Sequence, residues 1–415
     1  MTKTKGLYVT LIILLALLST LVAGTPMLAK PMYFVVLGSA IGVLIIPRAW
    51  VTSNKGRVII VGLLLYVFLT AFYRLIGKSD GTWGNSMHEY FFLLTFFLGV
   101  ALTKLASSQQ TITFWLLLCI IGVNIVYNIF ISNRYPEFNL NSRDDIGEDF
   151  LRSLNVGGST FFTMSMLLFN VCFFVFLNSK EKGIGVRIGS LFFCIIAAVF
   201  VLFYSQKGSN VVYLLLSIPL QLYAKQSKKM SNFVVNTTIV LLFVFLLFVL
   251  FKNELIQLII DISPSERLTV RLITLLDKNN PMADTDVVSG RTDLYFLSLK
   301  TWLSNPVIFF VGIGDVRAAY DVEWTGIGQH SDFFDTLARY GLIGGLLLFA
   351  TIRRYFRMIL SIFDRRYKLQ ILVIIGIFVL CACTKGVLVP EVGCILFVIL
   401  PLTSCILQHN SRLSY

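Results

Sequence analysis

The chain has 415 residues, 56 % of them hydrophobic and 14 % charged, with a formal net charge of +13 and a mean hydropathy of +0.80. Soluble globular domains carry about 25 % charged residues, so composition excludes that class. The apolar stretches are continuous rather than alternating, which excludes a β-barrel and predicts an all-α integral membrane protein.

Read in chain order, runs of about 20 apolar residues predict about twelve spans. They lie near 7–24, 31–47, 58–76, 89–106, 111–131, 158–178, 187–204, 209–224, 232–251, 336–352, 370–385 and 387–407. The first run follows Lys3 and Lys5, as in a signal peptide. A second span comes close behind it and no small-x-small cleavage site follows, so the run reads as an uncleaved first helix. With the N-terminus inside, most Lys and Arg fall on cytoplasmic segments and nearly all acids fall outside, so both termini are expected in the cytoplasm. This asymmetry accounts for the positive charge without a nucleic-acid partner. All seven cysteines sit within apolar runs and none has CxxC spacing, so neither a disulfide nor a metal site is expected.

The expected organisation has three parts: transmembrane helices one to nine over 1–251, a large external loop over 252–335, and helices ten to twelve with a cytoplasmic tail over 336–415. A loop of that length is too long for a passive link. Within it, Ser263-Pro264-Ser265-Glu266 is a capping box with proline at the first helical position, followed by the amphipathic RLTVRLITLL. A second helix is expected from near Ser289 to the Asn305-Pro306 break. Its Leu294, Phe296, Leu299, Trp302 and Leu303 are apolar and its Asp293 and Lys300 polar, the pattern of a helix lying on a membrane surface. A second external loop, 132–157, is dense in charge.

The residues suited to chemistry gather in and around these loops. His330 is one of three histidines and stands just before a helix, with Asp332 as expected N-cap and Asp335 in the first turn. The positive end of a helix dipole favours neutral imidazole, the form that accepts a proton, and a positioned base is worth about 10²–10⁴ in rate. The alternative is a structural histidine bonded to a carbonyl. Arg291 follows Ser289-Gly290 and offers a planar fork suited to phosphate; alternatively it snorkels to lipid headgroups. Arg143 and Arg152 lie in the 132–157 loop. Arg143 is flanked by Asp144 and Asp145, an ion-paired setting, whereas Arg152 leads into the polar SLNVGGST. Lys207, in the tight YSQKGSN turn, is a lone external cation that either attracts phosphate or pairs with an external acid. With no DxD motif and no metal-ligand cluster, these residues suit an anionic, pyrophosphate-bearing lipid handled without a metal or other cofactor.

SGR before an amphipathic helix, then NP…GIG, then QHSDFFDTLARYGLIGG, resembles the O-antigen ligase and polymerase superfamily over roughly 289–345. Those are integral-membrane glycosyltransferases of GT-C-like architecture with about a dozen spans and one large periplasmic loop. The resemblance implies that His330 activates the acceptor hydroxyl, that Arg291 acts beside it on the pyrophosphate, and that Arg152 and Lys207 bind substrate; Arg143, in the same loop as Arg152, is a further substrate-binding candidate. Where ligases typically show a Thr-Arg pair this chain has Gln206-Lys207. Where ligases carry HN and a later glutamate, it has His330-Ser331 and Ala338-Arg339-Tyr340-Gly341. Those departures favour an O-antigen polymerase (Wzy-type), or its capsule counterpart, in the bacterial inner membrane. Its partners would be an undecaprenyl-pyrophosphate-linked oligosaccharide, membrane lipid and a chain-length regulator protein. The alternatives are an O-antigen ligase, with lipid A–core as acceptor, and a lipid-linked oligosaccharide flippase.

Overall fold

The computed structural model describes residues 54–75, 84–103, 105–135, 159–180, 182–204, 208–227, 230–251, 285–314, 327–328 and 330–407, with a few single positions between 253 and 273. Among the described residues the regular structure is helical throughout, with no strand. The helices are α1 Asn54–Leu75, α2 Gly84–Leu102, α3 Ser107–Arg134, α4 Ser159–Asn178, α5 Ile184–Tyr204, α6 Gly208–Gln226, α7 Met230–Leu250, α8 Thr285–Trp302, α9 Pro306–Val311, α10 Asp332–Ile362, α11 Lys368–Thr384 and α12 Pro390–Leu407. Among the described residues, five stretches are long and apolar enough to cross a membrane: α3, Phe161–Asn178 within α4, α5, α10 and α12. Shorter apolar helices run over Ile60–Tyr73, His88–Val100 and Lys368–Thr384. The chain is therefore an all-α, multi-pass membrane protein. The expected spans at 7–24 and 31–47 and the 263–266 capping box lie outside the described residues; the remaining expected spans each fall on a helix.

The chain divides into two compact units. One comprises Met1–Ile120, Arg291–Ile362 and Phe378–Tyr415; the other comprises Ile121–Gly290 and Phe363–Ile377. In the first, α2 lies against the π-helical centre of α12, Cys394–Ile399. Gly99 makes this approach possible, because a Cβ there would overlap the carbonyl oxygen of Phe397. Small residues let helix backbones approach where lipid supplies no hydrophobic drive between helices. Around this contact Phe92, Phe96, Phe378 and Phe397 interlock with Tyr355 and Phe356. Phe96 stacks on Tyr355 at 3.8 Å between ring centres. Such aromatic pairs add about 0.5–1.5 kcal/mol each beyond the area they bury.

In the second unit α4 packs on α5 and α6. A ladder of amides, buried at Asn170, Gln221 and Gln370 and half-buried at Asn178, joins α4, α6 and the start of α11: Gln221 donates to Asn170 Oδ1 at 2.8 Å, Asn178 to Gln370 Oε1 at 2.9 Å, and Gln370 to the Gln221 carbonyl at 3.4 Å. In a membrane such side chains have no water to fall back on, so each finds its partner on a neighbouring helix.

α10 is not one continuous helix. Gly341 has φ 62° and ψ −169°, a conformation essentially reserved to glycine. The break frees the carbonyls of Ala338 and Arg339, which accept the N–H groups of Ile313 and Gly314 at 2.9 Å each. The Gly312-Ile313-Gly314 turn therefore plugs into the broken helix. Gly312 and Gly314 both have positive φ, and a Cβ on Gly312 would strike the Arg339 carbonyl. α9 delivers this turn. Asn305 caps α9 by accepting from the Ile308 N–H at 2.9 Å, with Pro306 at the first position, so the pair expected to end one helix also begins the next.

Candidate functional site

The part of α10 before its break, residues 332–340, gathers much of the polar chemistry described in the first unit. Its N-cap is Ser331 rather than Asp332: the Ser331 hydroxyl accepts from the Phe334 N–H at 3.2 Å. Asp332 faces another partner. Its Oδ2 accepts from the backbone N–H groups of Val387 and Leu388, the latter at 2.6 Å, in the connection between α11 and α12. In return the Asp332 N–H donates to the Lys385 carbonyl at 3.2 Å and the Ser331 hydroxyl to the Ala382 carbonyl at 3.2 Å. From α8, the Tyr295 hydroxyl donates to the Thr384 carbonyl at 2.8 Å. The segment bearing His330 is thus tied both to α8 and to the end of α11.

His330 is half-buried, and its Nδ1 lies 2.8 Å from the Gly328 carbonyl. A carbonyl only accepts, so Nδ1 carries the proton and, in neutral imidazole, the lone pair is on Nε2. Gly328 is buried against α8, where a Cβ would strike the Leu294 backbone. Its N–H donates to the Ser298 hydroxyl at 2.8 Å, and that hydroxyl donates to Asp335 Oδ1 at 2.6 Å. The other oxygen of Asp335 accepts from the Ser331 N–H at 3.2 Å.

α8 begins at Thr285, four residues before the expected start, so Arg291 falls in its second turn rather than its first. Arg291 shares the helical register of Leu294, Tyr295 and Ser298, the residues that meet the His330 segment; its side chain lies outside the described part of the structure. Arg143, Arg152 and Lys207 lie outside the described residues. α8 is amphipathic in the sense suited to lipid: Phe296 and Leu303 are 62 % and 56 % exposed, and Ser298 is fully buried. Its outward side forms an open groove of about 390 Å³ lined by Asp293, Phe296, Leu297, Leu299, Lys300 and Leu303.

Toward the break in α10 lies a second polar cluster. Arg339 pairs with Glu89 of α2 at 3.6 Å, their side chains only 6 % and 4 % exposed. The Tyr66 hydroxyl of α1 donates to Glu89, and one and two turns further on Thr70 meets the Tyr90 hydroxyl and Tyr73 donates to the Val311 carbonyl. Tyr340 sits edge-on to Tyr66 at 5.7 Å and tilted against Tyr73 at 5.9 Å. Ionisable groups inside a membrane protein are costly unless paired, and they mark function more often than chance.

Sequence reasoning missed Ser298, Lys385 and the Glu89–Arg339 pair. Lys385 is buried, 6 % exposed, in the short connection that docks on α10. As a basic residue between two spans expected to meet on the outer side, it carries the same signal that drew attention to Lys207. Glu89 and Arg339 were legible as ionisable residues within apolar runs, but their 250-residue separation hides the pairing. Among the described residues no three His, Cys, Asp or Glu side chains are placed to hold a metal ion. No protein-family model matches this chain, and no curated protein matches it.

Proposed function

We propose that the chain is a polysaccharide repeat-unit polymerase of the O-antigen type. On this reading it transfers a glycan from undecaprenyl pyrophosphate to a sugar hydroxyl of a second lipid-linked repeat unit, on the periplasmic side of a bacterial inner membrane. The observation that carries the reading is His330, in the motif that resembles the superfamily, with Nδ1 bonded to the Gly328 carbonyl, which gives Nε2 the part of proton acceptor. Nε2 takes the proton of the acceptor hydroxyl, and the oxygen bonds to the anomeric carbon. As it does so, the bond from that carbon to the pyrophosphate oxygen breaks, leaving its electron pair on the pyrophosphate. Arg291 stabilises the charge developing there, while Arg152, Lys207 and Arg143 hold the lipid-linked substrates. The exposed apolar side of α8 suits residence beside lipid.

The test is a strain lacking this chain, with surface glycolipid and lipid-linked intermediates resolved on gels. Core bearing a single repeat unit, restored to a ladder by the wild-type chain but not by His330→Ala or Arg291→Ala at equal membrane abundance, supports a polymerase. Bare core with polymer retained on the lipid carrier would instead make it a ligase. The buried Glu89–Arg339 pair is the one observation that favours a transporter. Failure of lipid-linked repeat units to reach the outer leaflet would support that reading. An unchanged ladder would refute polymerase and ligase together.

A further inference from the structure

We infer that Ser298 and Asp335 are positioning residues that fix the tautomer and orientation of His330. The argument rests on the direction of each hydrogen bond. The Asp335 carboxylate accepts only, so the Ser298 proton goes to Asp335 Oδ1 at 2.6 Å, and the Ser298 oxygen is left to accept the Gly328 N–H at 2.8 Å. With its N–H committed to α8, the Gly328 residue turns its carbonyl to His330 Nδ1, 2.8 Å away. The second Asp335 oxygen takes the Ser331 N–H at 3.2 Å. One carboxylate therefore anchors the backbone on both sides of the histidine: at Gly328 through Ser298, and at Ser331 directly. Ser298 is fully buried and Asp335 is 4 % exposed, so water does not compete for these bonds. A carboxylate that orients a histidine usually touches the ring; here it acts at one remove, through a serine and a peptide group. Reversing any one bond would put two donors or two acceptors face to face, so the Nδ1–H form of His330 is the one the relay permits.

The catalytic consequence rests on the proposed glycosyl transfer, but the relay itself does not. The chain has three histidines, so labelling histidine with ¹⁵N gives three imidazoles, and His330→Gln identifies the one of interest. In the purified full-length protein, neutral His330 is expected as the Nδ1–H tautomer. Ser298→Ala should move it largely to the Nε2–H form, and Ser298→Thr, which keeps the hydroxyl, should hold it as in wild type. Asp335→Asn is the second variant: an amide offers one acceptor where two N–H or O–H groups converge, so it should also loosen the preference. Wild-type His330 in the Nε2–H form would overturn the inference without any variant. So would an unchanged tautomer in both Ser298→Ala and Asp335→Asn. In a transfer assay with lipid-linked repeat units, Ser298→Ala should lower kcat by about 10²-fold, the cost of misplacing a catalytic group by about 1 Å, with KM close to wild type and rate restored by Ser298→Thr. Loss through KM with kcat intact would refute the positioning role. If the tautomers behave as stated while wild-type protein transfers no sugar, the relay stands and the proposed function falls.

Discussion

Gly341→Ala tests the break in α10, and the structure offers the variant two ways out, both costly. If the break persists, alanine must occupy φ 62° and ψ −169°, a strain of about 1–3 kcal/mol. Its Cβ would also press on the backbone of Phe310 and Val311, and overpacking against backbone adds about 1–3 kcal/mol. If the helix straightens instead, the carbonyls of Ala338 and Arg339 return to their own helix. The Ile313 and Gly314 N–H groups, bonded to them at 2.9 Å, then lose their acceptors at about 1–3 kcal/mol apiece. Either route amounts to about 2–6 kcal/mol and, at about 2.1 cal/mol/K of unfolding entropy per residue, should lower the unfolding temperature of the detergent-purified protein by about 2–7 °C. Gly376→Ala is the matched control. It lies within α11 with open space where its Cβ would go, so it should be neutral or stabilise by about 0.5–1 kcal/mol. If Gly341→Ala melts at the same temperature as Gly376→Ala, the reasoning about the break is wrong.

Three other outcomes follow from contacts described above. Gly99→Ala should separate α2 from α12, because its Cβ would collide with the Phe397 carbonyl; cysteine cross-linking between the two helices should fall, and unchanged cross-linking would contradict the close approach. Removing either partner of the buried Glu89–Arg339 pair, by Glu89→Gln or Arg339→Gln, should cost about 3–5 kcal/mol, whereas the double variant should recover much of that loss. A double-mutant cycle measures the coupling, and strict additivity would deny it. Both Val387 and Leu388 donate to the same oxygen of Asp332. Asp332→Asn should therefore keep both bonds and most of the stability, while Asp332→Ala loses about 2–4 kcal/mol by stranding two N–H groups; equal melting of the two would refute this.

Which features could be read from sequence depends on their range along the chain. Apolar run length located α1 to α7 and α10 to α12, because membrane thickness constrains each segment separately, whereas α9, six residues long, was not expected. The Asn305-Pro306 cap is equally local, since both capping residue and capped N–H lie within one turn. At Ser331-Asp332 two good capping residues stand side by side, and the sequence signals cannot rank them. The choice is made by Val387 and Leu388, which occupy Asp332 and leave the cap to Ser331. The break at Gly341 was hidden because GLIGG reads like ordinary small-residue packing in a membrane helix, and the GIG turn that replaces its hydrogen bonds comes from a different element. The histidine was legible as a candidate; the serine that orients it was not, because Ser298 lies in a helix 32 residues earlier and looks like any polar residue on an amphipathic surface.

The amide ladder of the second unit has a consequence in time. Gln221 and Asn170 are 51 residues apart, but Gln370 lies 149 residues after Gln221 and 192 after Asn178. At about 5–20 residues per second of synthesis, α4 and α6 are inserted roughly 7–30 s before α11 exists. During that interval Asn178 keeps the bond to its own helix carbonyl at Phe174 and lacks its partner on α11. The early helices therefore wait as a half-finished polar surface, one that holds a place for α11 and that a ribosome stalled before residue 370 would leave open to membrane chaperones or proteases.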